Sequence, residues 1–93
     1  MLKKKYQILV KSILSRHLNK SAKFFIFGSS VKTNDFRDID IGVKGVKDET
    51  RLVHAREDLE ESQLPYRVDV IDFSNVDRNF EQKVFNGKIL WLN

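Results

Sequence analysis

The chain has no cysteine among its 93 residues, which excludes a disulfide framework and any zinc site built on thiolates. One proline and four glycines are too few for a collagenous, linker-rich or low-complexity chain. No unbroken apolar run is longer than that of Phe24-Phe25-Ile26-Phe27, far short of the ~20 residues of a membrane-spanning helix. Lys3, Lys4 and Lys5 resemble the start of a signal peptide, but Lys11 and Arg16 interrupt the apolar region behind them. The expectation is a cytoplasmic domain with no membrane partner. Acid is also missing from the first 34 residues, which hold eight Lys and Arg, whereas the rest hold nine basic and thirteen acidic groups. The two parts therefore carry +8 and −4 within the total of +4. A basic front end suits RNA or nucleotide phosphate, and a solvated helix face equally well. No RNA- or DNA-binding signature and no ladder of aromatics among basic residues is present, so direct nucleic-acid binding is not expected.

What is present has a globular balance, 41% hydrophobic and 32% charged, and a single domain over residues 1–93 is expected. Leu2, Tyr6, Leu9, Val10, Ile13 and Leu14 recur at helical spacing, opposite Lys4, Lys11 and Ser15. Lys23–Phe27 is apolar on both faces and predicts a central strand, which Gly28-Ser29-Ser30 ends. Asp38–Val43 alternates, with Ile39, Ile41 and Val43 on one face and Asp38, Asp40 and Gly42 on the other. A helix is predicted from about Glu49 to Gln63, stopped by Pro65. Tyr66–Phe73 predicts a third strand. Ser74 and Asp77 suggest a capping box for a helix carrying Val76, Phe80 and Val84, which Gly87 ends. The order α-β-β-α-β-α, followed by an apolar tail, predicts an α/β (α+β) fold in which a small mixed sheet has its helices mainly on one face.

The chemistry concentrates in the aspartates. Asp38 and Asp40, two apart on a strand, project from one face about 6–7 Å apart. Asp69 joins them if the third strand lies beside the second with its valines in the core. Such a set suits hard Mg²⁺, which takes oxygen ligands and relies on substrate phosphates to complete its shell. Gly28 after a buried strand allows backbone N–H groups to approach an anion, and a turn beginning at Ser29 or Ser30 aims its positive end at phosphate. An isolated Asp-x-Asp is more often a solvated strand end than a site; here Gly28-Ser29 before it and Asp69 after it reverse that preference. Asp72 is the competing third carboxylate and is assigned to the strand end instead.

These residues carry a resemblance. Phe27-Gly28-Ser29, Asp38-Ile39-Asp40, the segment Leu64 to Asp72, and the closing Asn86-Gly87-Lys88-Ile89-Leu90-Trp91 resemble the minimal nucleotidyltransferases, MntA-type antitoxins among them. That family belongs to the DNA polymerase beta-like nucleotidyltransferase superfamily. The resemblance implies the polymerase beta-like fold and a nucleotide held by Gly28, Ser29 and Ser30. It assigns metal and catalytic roles to Asp38, Asp40 and Asp69, with two Mg²⁺ ions and ATP as substrate. It further implies transfer of AMP to a hydroxyl, a tyrosine of a HEPN-type ribonuclease toxin, in a type VII-like toxin–antitoxin pair. The alternative from another class is a weakly catalytic or non-catalytic module that neutralises a helical partner by contact.

Other residues are assigned plainer roles. Arg67 is expected to neutralise the acidic cluster, and His17 and His54 to be structural. Lys32 and Arg37 flank the site, where contact with triphosphate competes with simple solvation. The run Glu57, Asp58, Glu60, Glu61 reads as a solvated face or a partner-facing patch. The apolar tail with Trp91 either packs back on the sheet or offers an interface.

Overall fold

The computed structural model describes Met1–Asn93. The elements are α1 (Lys4–His17), β1 (Lys23–Phe27), a 3₁₀ turn (Gly28–Val31), β2 (Asp38–Lys44), α2 (Glu49–Glu61), β3 (Arg67–Asp72), α3 (Arg78–Phe85) and β4 (Leu90–Trp91). They form one four-stranded sheet in the order β3-β2-β1-β4. β1 runs antiparallel to both β2 and β4, whereas β2 and β3 are parallel. A parallel pair needs a crossover, and α2 supplies it. No helix is long and apolar enough to cross a membrane.

Two cores form, one on each face of the sheet. Val10, Ile13 and Leu14 of α1 and Leu52, Ala55 and Leu59 of α2 bury against Phe24, Ile26, Ile39, Ile41, Val43 and Val70. On the opposite face Phe25, Phe27 and Phe73 form a smaller cluster with Val84 and Phe85 of α3. The expected one-sided packing therefore holds for α1 and α2, while α3 takes the other face. The cause lies in β1, where four consecutive apolar residues leave Phe25 and Phe27 needing cover that α1 and α2 cannot reach.

Local chemistry sets the boundaries. Asp48 caps α2 by accepting a hydrogen bond from the Thr50 N–H at 2.9 Å, and the helix stops at Glu61, ahead of Pro65. The expected capping box does not form. Asp77 caps α3, accepting from the Asn79 N–H at 3.3 Å, while the Ser74 N–H donates to Asp72 Oδ1 at 3.0 Å. Asp72 is thus committed to the turn after β3, as its strand-end position implied. The apolar tail packs back: β4 adds to the edge of β1, Leu92 is buried, and half-exposed Trp91 lies against Phe25 and Phe85.

His17 joins α1 to α2, its Nε2 2.6 Å from Asp58 Oδ2. That hydrogen bond is the main cause holding the Asp58 carboxyl below its ordinary value. Its contribution is present above the ordinary carboxylate pKa of 3.8 and is lost as pH falls through the lowered one. His17 is therefore structural, and one member of the acidic run is an intramolecular partner.

Candidate active site

Strand register assembles the site. Asp40 lies opposite Phe27 of β1 and beside Asp69 of β3, and Asp38 lies beside Arg67. Alternation puts Asp38 and Asp40 on one face of β2, and the in-register parallel pairing brings Asp69 to the same face. Because Asp40 pairs with Phe27, this is the face that carries the aromatic cluster and α3. Asp38 and Asp69 are exposed and Asp40 is half-buried.

Asp40 is electrostatically strained. Burial, and then the carboxylates of Asp69 and Asp38, push its carboxyl above the ordinary value. No cation relieves the row, since every ion pair of the chain lies elsewhere: Arg16 and His17 with Asp58, and Lys44 with Glu81. The expected neutralisation by Arg67 is absent. Arg67 is exposed at the start of β3 and lines the same open pocket, but it pairs with none of the three acids. That pocket, about 390 Å³, is formed by Asp38, Asp40, Asp69, Arg67, Val68 and Glu60. Glu60 is a member that sequence reasoning missed, because the end of α2 read as a solvated face or a partner-facing patch rather than as part of the site.

The Gly28-Ser29 turn meets the acids directly. Gly28 has φ +79°, and a Cβ built there would overlap Asp40 Oδ2. Ser29 is exposed beside it. Ser30, expected to share the nucleotide contact, is fully buried with its hydroxyl unpartnered, and its carbonyl accepts from the Leu2 N–H at 2.8 Å. The 3₁₀ turn buries Ser30 and Val31, so the accessible part of the turn is Gly28 and Ser29. Gly28→Ala is expected to cost about 1–2 kcal/mol from the left-handed backbone alone, and more from displacing the Asp40 carboxylate. Thermal melting checks this: the loss should shrink in an Asp40→Ala background, where the overlapping carboxylate is gone.

No three carboxylate or imidazole side chains converge into a ready-made metal cage. The donor set nevertheless fits Mg²⁺ in its chemistry: hard oxygens, no cationic partner, and an open side toward solvent. Mg²⁺ is commonly held by one or two carboxylates plus substrate phosphates rather than by an all-protein cage. Gly28 also lines a second cavity, about 270 Å³, walled in part by Lys32, Lys83 and Lys88. Lys32 was placed near the site by its loop. Lys88 belongs to the closing motif but was given no role there, and Lys83 carries no sequence signal, because their nearness to Gly28 depends on where α3 crosses the sheet. Arg37 is exposed and unpaired.

The family model described as Polymerase beta, Nucleotidyltransferase matches residues 9–93. The chain belongs to that family. In fold it is similar to a chain of a crystal structure of the toxin–antitoxin MntA–HpeT, in a mutant carrying two Asp-to-Glu replacements two positions apart. The TM-score is 0.75 at 19% identity, covering 94% of this chain and 71% of that one. No curated protein matches in sequence. The polymerase beta-like fold expected from the motifs is therefore the fold observed. In this nucleotidyltransferase the acidic row and the basic cavity meet at one residue, Gly28.

Proposed function

We propose that this nucleotidyltransferase is a Mg²⁺-dependent antitoxin that moves AMP from ATP to a hydroxyl of a partner toxin in the cytoplasm. The observation that carries the reading is the carboxylate row Asp38, Asp40 and Asp69, unpaired and set against Gly28. Its support from outside the chain is the toxin–antitoxin assembly to which the fold neighbour belongs. The two aspartates replaced in that neighbour have the spacing of Asp38 and Asp40. A tyrosine of a HEPN-type toxin is the acceptor implied by the family resemblance.

In this reading Asp38 and Asp40 would hold one Mg²⁺, and Asp69 would complete a second metal site. Mg²⁺ bound there would supply charge neutralisation to the entering and leaving oxygens. Gly28 and Ser29 position the phosphates by backbone and hydroxyl. Asp69, exposed beside Asp40, would take the proton of the acceptor hydroxyl. The acceptor oxygen then bonds to the α-phosphorus as the α–β bridging bond breaks, and pyrophosphate leaves with the electron pair. Positioning and electrostatics supply most of the rate in such chemistry.

The test is the intact mass of a co-expressed toxin after incubation with this protein, ATP and Mg²⁺. A gain of one or more AMP groups is expected, with fragmentation naming the acceptor residue. An unchanged mass within a stable, inactive toxin complex would sink transfer in favour of neutralisation by contact. One observation favours that second reading: an open groove of about 480 Å³ along α1, lined by Tyr6, Leu9 and exposed Ile8.

A further inference from the structure

The outer face of α1 combines two features that a merely solvated helix does not need. It carries no acid, and of its cations only Arg16 and His17 have a partner, Asp58. Lys4, Lys5 and Lys11 are exposed and unpaired. Helices built for solubility interleave Glu with Lys at i, i+4 spacing. In the middle of this basic face stands Ile8, 58% exposed. Its neighbours three and four positions away on the helix surface are Lys4, Lys5, Lys11 and Ser12. Ile8 and Leu9 line the open groove with Lys5, Tyr6, Ser12 and Gln63. That groove adjoins the acidic row. Gln63 follows Glu60, which lines the aspartate pocket, by three residues. Tyr6 meets Tyr66 edge-on at 5.7 Å, and Tyr66 directly precedes Arg67 of the same pocket.

Resting on the toxin–antitoxin part of the reading above, and not on transfer, we infer that the α1 groove seats an acidic amphipathic helix of the partner toxin. Lys5, Ile8, Leu9 and Ser12 follow i, i+3, i+4, i+7 spacing, the surface against which an opposing helix packs. Apolar residues of that helix cover Ile8 and Leu9, and flanking Asp and Glu pair with Lys4, Lys5 and Lys11. RNA fits the charge but not the lining. Tyr6 is the one aromatic there, with Lys5 Nζ 5.0 Å over its ring and Tyr66 at its side, so no base finds a free stacking platform. A lipid surface fits no better, because Val10, Ile13 and Leu14 are spent in the core and leave little apolar face to insert. A toxin helix held here lies next to the aspartate pocket, which places its neighbouring residues in reach of the row.

Calorimetric titration with the co-expressed toxin, purified, tests the seat in an Asp38→Asn, Asp40→Asn background, where binding is read without transfer. Lys5→Glu with Lys11→Glu is compared with Lys20→Glu and Lys47→Glu, an equal charge change at exposed sites away from the groove. The groove pair is expected to lose at least about tenfold in toxin affinity and the control pair less than about threefold, with the difference shrinking at high salt. A second measurement leaves the lysines intact. The chain has no cysteine, so Ile8→Cys gives a single thiol for a benzophenone maleimide. Photo-cross-linking in the toxin complex is expected to mark an acidic helical segment of the toxin. Equal losses in the two charge pairs, or a cross-link to a neutral or non-helical segment, to RNA or to lipid, overturn the inference and leave the toxin reading standing. A toxin that does not bind the native protein overturns both. Groove-dependent binding of a toxin whose mass never changes supports the seat and removes only the transfer.

Discussion

Asp38→Asn combined with Asp40→Asn is expected to reduce transfer by about 10³-fold or more while raising the melting temperature. The activity side follows from the role proposed for the row. Metal-assisted charge stabilisation contributes several kcal/mol to the transition state, and each 1.36 kcal/mol is a factor of ten. The stability side follows from the row as it stands. The folded protein holds the Asp40 proton to higher pH than the unfolded chain does, because burial and then Asp69 and Asp38 oppose ionisation. Stability from this group is fully present below the ordinary value of 3.8 and is lost as pH rises through the raised one. Asparagine removes that loss, so the advantage of the variant should grow from acid toward neutral pH. Mg²⁺ should raise the midpoint of the native protein and leave the variant unmoved. Melting curves at several pH values with and without Mg²⁺, beside the toxin mass assay, check both halves. A variant that melts lower than the native protein at neutral pH would contradict the account of Asp40.

The second large effect is structural. Phe25→Ala is expected to cost about 3–5 kcal/mol, a large part of the 5–15 kcal/mol typical of a domain. Its ring lies 5.0 Å from that of Phe73, 5.1 Å from Phe85 and 4.9 Å from Trp91, so its loss empties the centre of the α3-side core. The same ring covers Gly42, its partner across the β1–β2 ladder, and occupies the place of any Cβ there. Gly42→Ala should therefore cost about 1–3 kcal/mol by overpacking. In the Phe25→Ala background the added methyl finds room. The double variant should be more stable than the sum of the two losses predicts, because residues in contact are not additive. Denaturant titration of the four proteins measures the coupling; strict additivity would show that the ring and Gly42 do not share that space.

Much of the candidate site was legible in the chain because strand alternation is a local property. Asp38 and Asp40 had to share a face once Ile39 and Ile41 were core, and the same argument placed Asp69 opposite Val70. Two expectations failed because they were judged by residue type. Arg67 finds no partner among the acids at the strand start, and Asp72 takes the N–H of Ser74 that a capping box would have used. Ser30 is carried inward by the 3₁₀ turn, a placement that residue type does not record.

The sequence by itself determined the three helices and the first three strands, their order, the acidic face of β2 and the family. Periodicity, capping groups and strand alternation act over a few residues and leave their mark in the chain. Only the tertiary structure decided that β3 docks parallel beside β2, bringing Asp69 to Asp40. It also decided that α3 crosses to the second face, bringing Lys83 and Lys88 to Gly28. Those juxtapositions join residues tens of positions apart. They are set by which apolar faces must bury one another, a balance that no local pattern records.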